Sequence, residues 1–157
     1  MNSIDLLIMN FEEVRRRSIK VWSSIPVEHM DWKPDESAMS ILEMIRHVLE
    51  SEYYYHLMIV NRGSLKEYSP SPFEDRQFTT IEEEINFASK YRSGFLEMVS
   101  SFSESDLTDI SIDRSDVGYT RTLGDMLLRV AYHESVHIGQ ILQYLRMIEA
   151  DRANIWD

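Results

Sequence analysis

The residues of this sequence whose types and spacing could do chemistry stand in AYHESVHIGQIL, residues 131–142. His133 and His137 lie four apart with Glu134 between them, so the string reads H-E-x-x-H. On a helix, side chains at i and i+4 are neighbours on one face. Two imidazoles placed that way can reach a single ion, and neutral imidazole suits zinc, nickel, copper or iron. The stripe around them is apolar: Leu123, Met126 or Leu127, Val130, His133, His137, Ile141, Tyr144 and Ile148 recur at helical spacing. A single histidine in such a stripe is usually a core residue with hydrogen-bonded ring nitrogens. Two in its middle, at ligand spacing, are better explained by one metal that satisfies both rings.

H-E-x-x-H is also the helix signature of zinc peptidases. Here its extensions are missing. Glu149 follows too closely to be the distant glutamate ligand, and the sequence ends at Asp157. In the longer three-histidine pattern a glycine and a further histidine would stand where Gln140 and Gln143 are. Such enzymes also hold peptide against a strand edge, and no convincing strand is legible. Peptide hydrolysis is therefore set aside.

The chain has no cysteine, so any metal site must use His, Asp or Glu. A third ligand has to come from another helix, and the second one offers His47 and His56. His47 shares a stripe with Met44, Ser51 and Tyr54, and an antiparallel neighbour would bring it level with the pair. His56, near Ile59 and Val60, reads as a partly exposed neighbour of aromatic residues, and His29 as a loop residue. Three histidines leave positions open to water or substrate, as in catalytic sites. Glu134 and Glu52 are candidates for orienting a ligand or for general-base work, against a plainer reading as ordinary polar helix residues. Gln140 could hydrogen-bond near the site, and Gly139 reads as allowing close helix approach.

Four amphipathic helices have to position these groups. The first covers about residues 4 to 24, with Leu7, Phe11, Val14, Ser18 and Val21 on its inner face and Pro26 ending it. Ser40 and Glu43 form a capping box for the second, which reaches about residue 61, where Gly63 sits at the place of a left-handed cap. The third opens at Thr79 or Thr80 and buries Ile85, Ala88, Tyr91 or Arg92, Phe95, Val99 and Phe102. Thr122 and Asp125 open the fourth, which runs to about residue 149. Ile155 and Trp156 are expected to order the tail. Helices of about 20 residues are about 30 Å long, matched lengths for an all-α four-helix bundle, a fold that places metal sites between facing helices. The connection over residues 62–79, with Pro70 and Pro72, is long for a simple up-down bundle and reads as a crossover or part of a site. Residues 104–121 read as a loop in which Asp and Ser interrupt a short extended piece.

One domain over residues 1–157 accounts for the length, and 5 Gly with 4 Pro leave little material for an all-β fold. A net charge of −11 argues against nucleic-acid binding, which needs clustered cations. The one basic run, Arg15-Arg16-Arg17, reads as a solvated helix face. No apolar run approaches the roughly 20 residues that cross a bilayer. The N-terminus lacks signal-peptide features, and with the missing cysteines this fits a reducing cytoplasm.

Trp32, Pro34, Ser40, His47 and Glu52 in WKPDESAMSILEMIRHVLESEYYY, followed by His133, His137, Gly139 and Gln140 in the last helix, make a recognisable series. In this order, and over most of its length, the chain resembles the DinB/YfiT-like superfamily of metal-binding four-helix bundles. The resemblance implies a site of His47, His133 and His137 for nickel or zinc, and a homodimer. It also implies thiol-dependent chemistry on a small-molecule substrate, as in bacillithiol S-transferases and a mycothiol-dependent maleylpyruvate isomerase. A metal-dependent hydrolase and a non-catalytic, damage-inducible metal-binding protein are the alternatives. Many relatives carry a histidine where this chain has Val136, which leaves the ligand set intact.

Overall fold

The computed structural model describes residues 1–65 and 70–157. Each long helix starts where a side chain can satisfy its free N–H groups. α1 (Ser3–Trp22) is capped by Asn2 with Asp5 answering in a capping box, a start the sequence reading had not singled out. α2 (Ile41–Val60) uses the expected Ser40–Glu43 box. α3 (Ile81–Ser100) is capped by Thr80 rather than Thr79. A short turn of helix, α4 (Asp106–Asp109), precedes α5 (Leu123–Met147), which Thr122 caps.

Side-chain pairs give the helix directions. His47 meets His133 and His137 while Tyr55 meets Arg129, so α2 and α5 are antiparallel. Arg46 meets Glu84, Tyr53 meets Tyr91 and His56 meets Phe95, so α2 and α3 are parallel. Phe11 packs on Phe95 while Ile19 lies beside Ile81 and Ile85, so α1 opposes α3. α1 runs parallel to α5, Leu6 lying by Leu128 and Arg15 by Glu134. The bundle is thus up-down-down-up. Because α2 and α3 point the same way, the segment between them has to travel back along about 30 Å of helix, which explains its length. Its described part includes Phe73, buried against Tyr53, Phe87 and Tyr91; residues 66–69 lie outside the described residues.

Several expectations are corrected. Residues 104–121 are not merely a loop: besides α4 they form a hairpin of β1 (Ser111–Arg114) and β2 (Tyr119–Thr122), paired antiparallel with Ile112 opposite Arg121. Ile112 is fully buried, and that anchor outweighs the intervening polar residues, whose side chains face solvent. At the end of α2 the left-handed residue is Arg62 (φ 53°), not Gly63. Arg62 N–H donates to Ile59 O at 3.1 Å and Gly63 N–H to Met58 O at 3.0 Å, a Schellman closure. Gly63 is needed for a different reason: a Cβ there would sit 2.6 Å from Asp113 O, where the hairpin bridges to this turn. The tail is held by Ile155 and by Asp157, which pairs with Lys20 and Arg16, while Trp156 is exposed.

The basic run is also corrected. Arg16 and Arg17 pair with Glu13 at the surface, but Arg15 is only 5% exposed. The apolar core is two clusters. One surrounds Trp22, Ile45, Ala88 and Ile141, the other Phe11, Tyr55, Phe95 and Leu127. Between them each of the four long helices places one charged side chain: Arg15, Glu52 and Glu134, which are buried, and Arg92, which is half-buried. Among the described residues no helix is long and apolar enough to cross a membrane.

Candidate metal centre

The antiparallel packing of α2 on α5 brings His47 level with the pair one turn apart on α5. His47 Nε2 lies 3.0 Å from His133 Nε2, and His137 Nε2 lies 3.1 Å from the same atom. One ligand atom from each ring falls within 4.8 Å of the others. His137 is buried, whereas His47 and His133 are half-buried, so one side of the group faces solvent.

Proton placement tests whether an ion fits this group. His137 Nδ1–H donates to Gln140 Oε1 at 2.7 Å, which leaves its Nε2 as a lone pair aimed at the centre. His133 Nε2 sits between that lone pair and His47 Nε2. A neutral imidazole has one N–H, so His133 can make one linear hydrogen bond, not two, and the third ring stays imperfectly matched. A single cation satisfies all three lone pairs, and imidazole nitrogens bind zinc at about 2.0–2.1 Å. The donor set therefore fits one divalent transition metal, with Gln140 fixing a ligand's tautomer as outer partners of metal sites do.

The electrostatics agree. Burial, then the neighbouring His137 and His47, pushes His133 down to about 4. Burial, then His137, lowers His47 as well. Both rings are neutral at pH 7, the state a ligand requires.

The two glutamates weighed for catalysis are already engaged. Arg15 holds Glu134 through two bonds, Nε–H to Oε1 at 2.8 Å and Nη2–H to Oε2 at 3.0 Å. Glu52 Oε2 accepts from Arg92 Nη1 and, at 3.4 Å, from Arg15 Nη2. Burial would raise the Glu134 carboxyl, but the Arg15 charge and hydrogen bonds outweigh it and hold it below the usual range. The other two histidines stand apart from the group. His56 lies against Phe95 and Gly94 of α3, and His29 ends a 3-10 turn after α1.

A surface cavity of about 510 Å³ reaches the triad through His133, with Tyr55, Arg121, Arg129 and Tyr132 also on its walls. The sequence reading missed these residues. The signal was present at Arg129, which stands four before His133 and so on the same helix face.

Comparison with known proteins bears on the family and the fold. Residues 10–141 match the family model of the DinB superfamily. A curated relative, the uncharacterised protein YjoA of Bacillus subtilis (strain 168), is 29% identical over 142 residues, which is 89% of this chain and 87% of that protein. The crystal structure of a DinB-like protein (YjoA) from Bacillus subtilis matches with a TM-score of 0.69 at 23% identity, covering 95% of this chain and 96% of the other. That of a DinB-like protein from Bacillus cereus ATCC 10987 matches with a TM-score of 0.71 at 14% identity, covering 96% and 95%. Both structural likenesses bear on the fold.

Proposed function

The chain belongs to the DinB superfamily, and from that premise we propose that His47, His133 and His137 hold one divalent ion, nickel or zinc, at which a small thiol is made nucleophilic toward a small-molecule electrophile. The convergence of three imidazole nitrogens, two pairs of them 3.0 and 3.1 Å apart, carries this reading. When bound, such an ion supplies Lewis acidity that lowers the pKa of a thiol or water at its remaining positions. Among the described residues no fourth side chain joins the metal-binding group, which supports an open rather than a closed site.

The chain's own residues set how the site works. Gln140 keeps the His137 lone pair pointed inward, and burial keeps His133 and His47 unprotonated near pH 7. Arg15 clamps Glu134, and so holds the turn of α5 that carries His133. That clamp also favours a thiol over water as the nucleophile. Water attack benefits from a nearby general base, and both candidate carboxylates are tied to guanidiniums. A thiol, with an ordinary pKa of about 8.5, is closer to ionising near neutrality than water is and would depend less on such a base. Hydrolysis remains the second reading. A homodimer is part of the proposal, supported by the exposed apolar Leu6, Met9 and Leu128 along the α1–α5 face.

Elemental analysis of the purified protein tests the site. About one nickel or zinc per chain is expected, with little in His47→Ala and His137→Ala. Gln140→Leu should keep the ion but bind it about 10–100-fold more weakly. A wild type without transition metal overturns the reading. Conjugation of glutathione or bacillithiol to a chromogenic electrophile then tests the chemistry; ester cleavage without conjugation would select the hydrolase.

A further inference from the structure

The cavity beside His133 carries more cationic character than its surroundings require. Arg121 and Arg129 flank one ring, that of Tyr119, each with its guanidinium carbon 5.1 Å from the ring centre. Like charges so close repel, and one carboxylate lies with them: Asp125, whose Oδ2 accepts from Arg121 Nη1 at 2.6 Å. Arg129 has no carboxylate within ion-pair distance among the described residues. Its one hydrogen bond runs from Nε–H to Tyr55 Oη at 3.3 Å. That bond and the Tyr119 face hold the guanidinium in place and leave its two Nη groups without a protein acceptor among the described residues. In a chain of net charge −11, with 27 acidic residues against 16 basic, a cation whose companion carboxylate at the cavity wall, Asp125, is bonded to Arg121 is out of keeping with its surroundings.

The neighbours fit a ligand there. Arg129 precedes His133 by one helical turn on the same face, and residues so spaced are about 5–6 Å apart at Cβ. Tyr132 and Val136 give the cavity an apolar wall. A planar guanidinium with both Nη groups available matches a carboxylate edge-on through two parallel hydrogen bonds.

We propose that the cavity binds the carboxylate of a small, partly apolar substrate on Arg129 and so places that substrate's reactive atom about one helical turn away, beside His133. Arg129 is then a specificity-determining residue, with Tyr55 and Tyr119 orienting it and Arg121 neutralising Asp125 so that the anion is not repelled. The inference rests on the metal-site reading for the chemistry that follows binding, not for the binding itself.

Benzoate, which pairs one carboxylate with one apolar ring, is the probe, and benzamide is its uncharged match. Each is titrated into the full-length chain, first freed of metal by chelation and then zinc-loaded, and followed by proton–nitrogen NMR at the Arg129 Nε–H. Saturable binding of benzoate to the metal-free protein is expected, with benzamide at least about tenfold weaker. Arg129→Gln should lose about tenfold or more in benzoate affinity while its melting curve and metal content stay at wild-type values, and Arg129→Lys should fall between the two. Equal binding of benzoate and benzamide, or undiminished binding by folded Arg129→Gln, overturns the proposal. Inorganic phosphate that displaces benzoate below benzoate's own Kd overturns the carboxylate assignment in favour of a phosphate. Because the deciding titration uses metal-free protein, its failure leaves the metal site standing, and a protein that holds no metal yet binds benzoate through Arg129 separates the two in the other direction.

Discussion

His133 shows how much one residue's setting differs from its type. Its ring is driven down to about 4 by burial and then by His137 and His47, while an unfolded histidine titrates near 6.5. Between those values the unfolded chain holds the extra proton. The contribution of His133 to stability is therefore complete above about pH 6.5 and is lost as pH falls toward 4. Urea denaturation of the metal-free protein at stepped pH should show the midpoint falling through that window. A His133→Asn variant should show a shallower fall, and equal slopes would remove His133 as the cause. The histidine pair was legible at this scale because i, i+4 spacing is a property of sequence. The state of its nitrogens was not: the 2.7 Å bond to Gln140 and the approach of His47 set that.

At the scale of elements, the four long helices each contribute one charged side chain, three of them buried and Arg92 half-buried, to a layer that divides the apolar core. Arg15 faces two opposing influences. Burial disfavours its charge, and Glu134 with Glu52 more than compensates, raising its pKa above the usual arginine range. Arg15→Ala leaves Glu134 buried without its partner and should destabilise the protein by about 3–5 kcal/mol in urea. Arg15→Met with Glu134→Leu removes one charge of each sign, and it should regain most of that loss. If the double variant is no better than the single one, packing rather than charge governs the layer. None of this was legible in Arg15-Arg16-Arg17, where two of three identical residues pair with Glu13 and one turns into the core. Arg15 falls on the same face as Phe11, Ser18 and Trp22, and only the carboxylates arriving from α2 and α5 make burial there tolerable.

For the whole molecule, the three histidines join α2 to α5 across 86 positions of sequence. An ion held there as proposed would bind the folded chain in preference to the unfolded one, in which the three rings are not brought together. At a free metal concentration of about 100 Kd it adds about 2.7 kcal/mol, or roughly 5–10 °C in Tm for a chain of this size. Chelation should lower the calorimetric midpoint of the wild type by that amount and leave His47→Ala unmoved. A chelator shift of the same size in the variant would place the stabilising ion elsewhere. The charge of −11 acts at this scale too, and makes the cationic wall at Arg129 a local exception to the molecule's field.

The sequence by itself determined the four helices, the caps at Ser40 and Thr122 with a third at Thr79 or Thr80, and the pair His133 and His137, because periodicity and capping act over a few neighbouring residues. It also carried the family series from Trp32 to Gln140. Tertiary structure decided what depends on residues far apart in the chain. It set the parallel course of α2 and α3, and the close approach to Asp113 that makes Gly63 a glycine. It brought Arg15, Glu52, Arg92 and Glu134 together as a layer of charge between the two core clusters, and it left Arg129 at a cavity wall with no ion pair among the described residues. These features arise from burial and from partners in other elements, and no local pattern encodes which elements will meet.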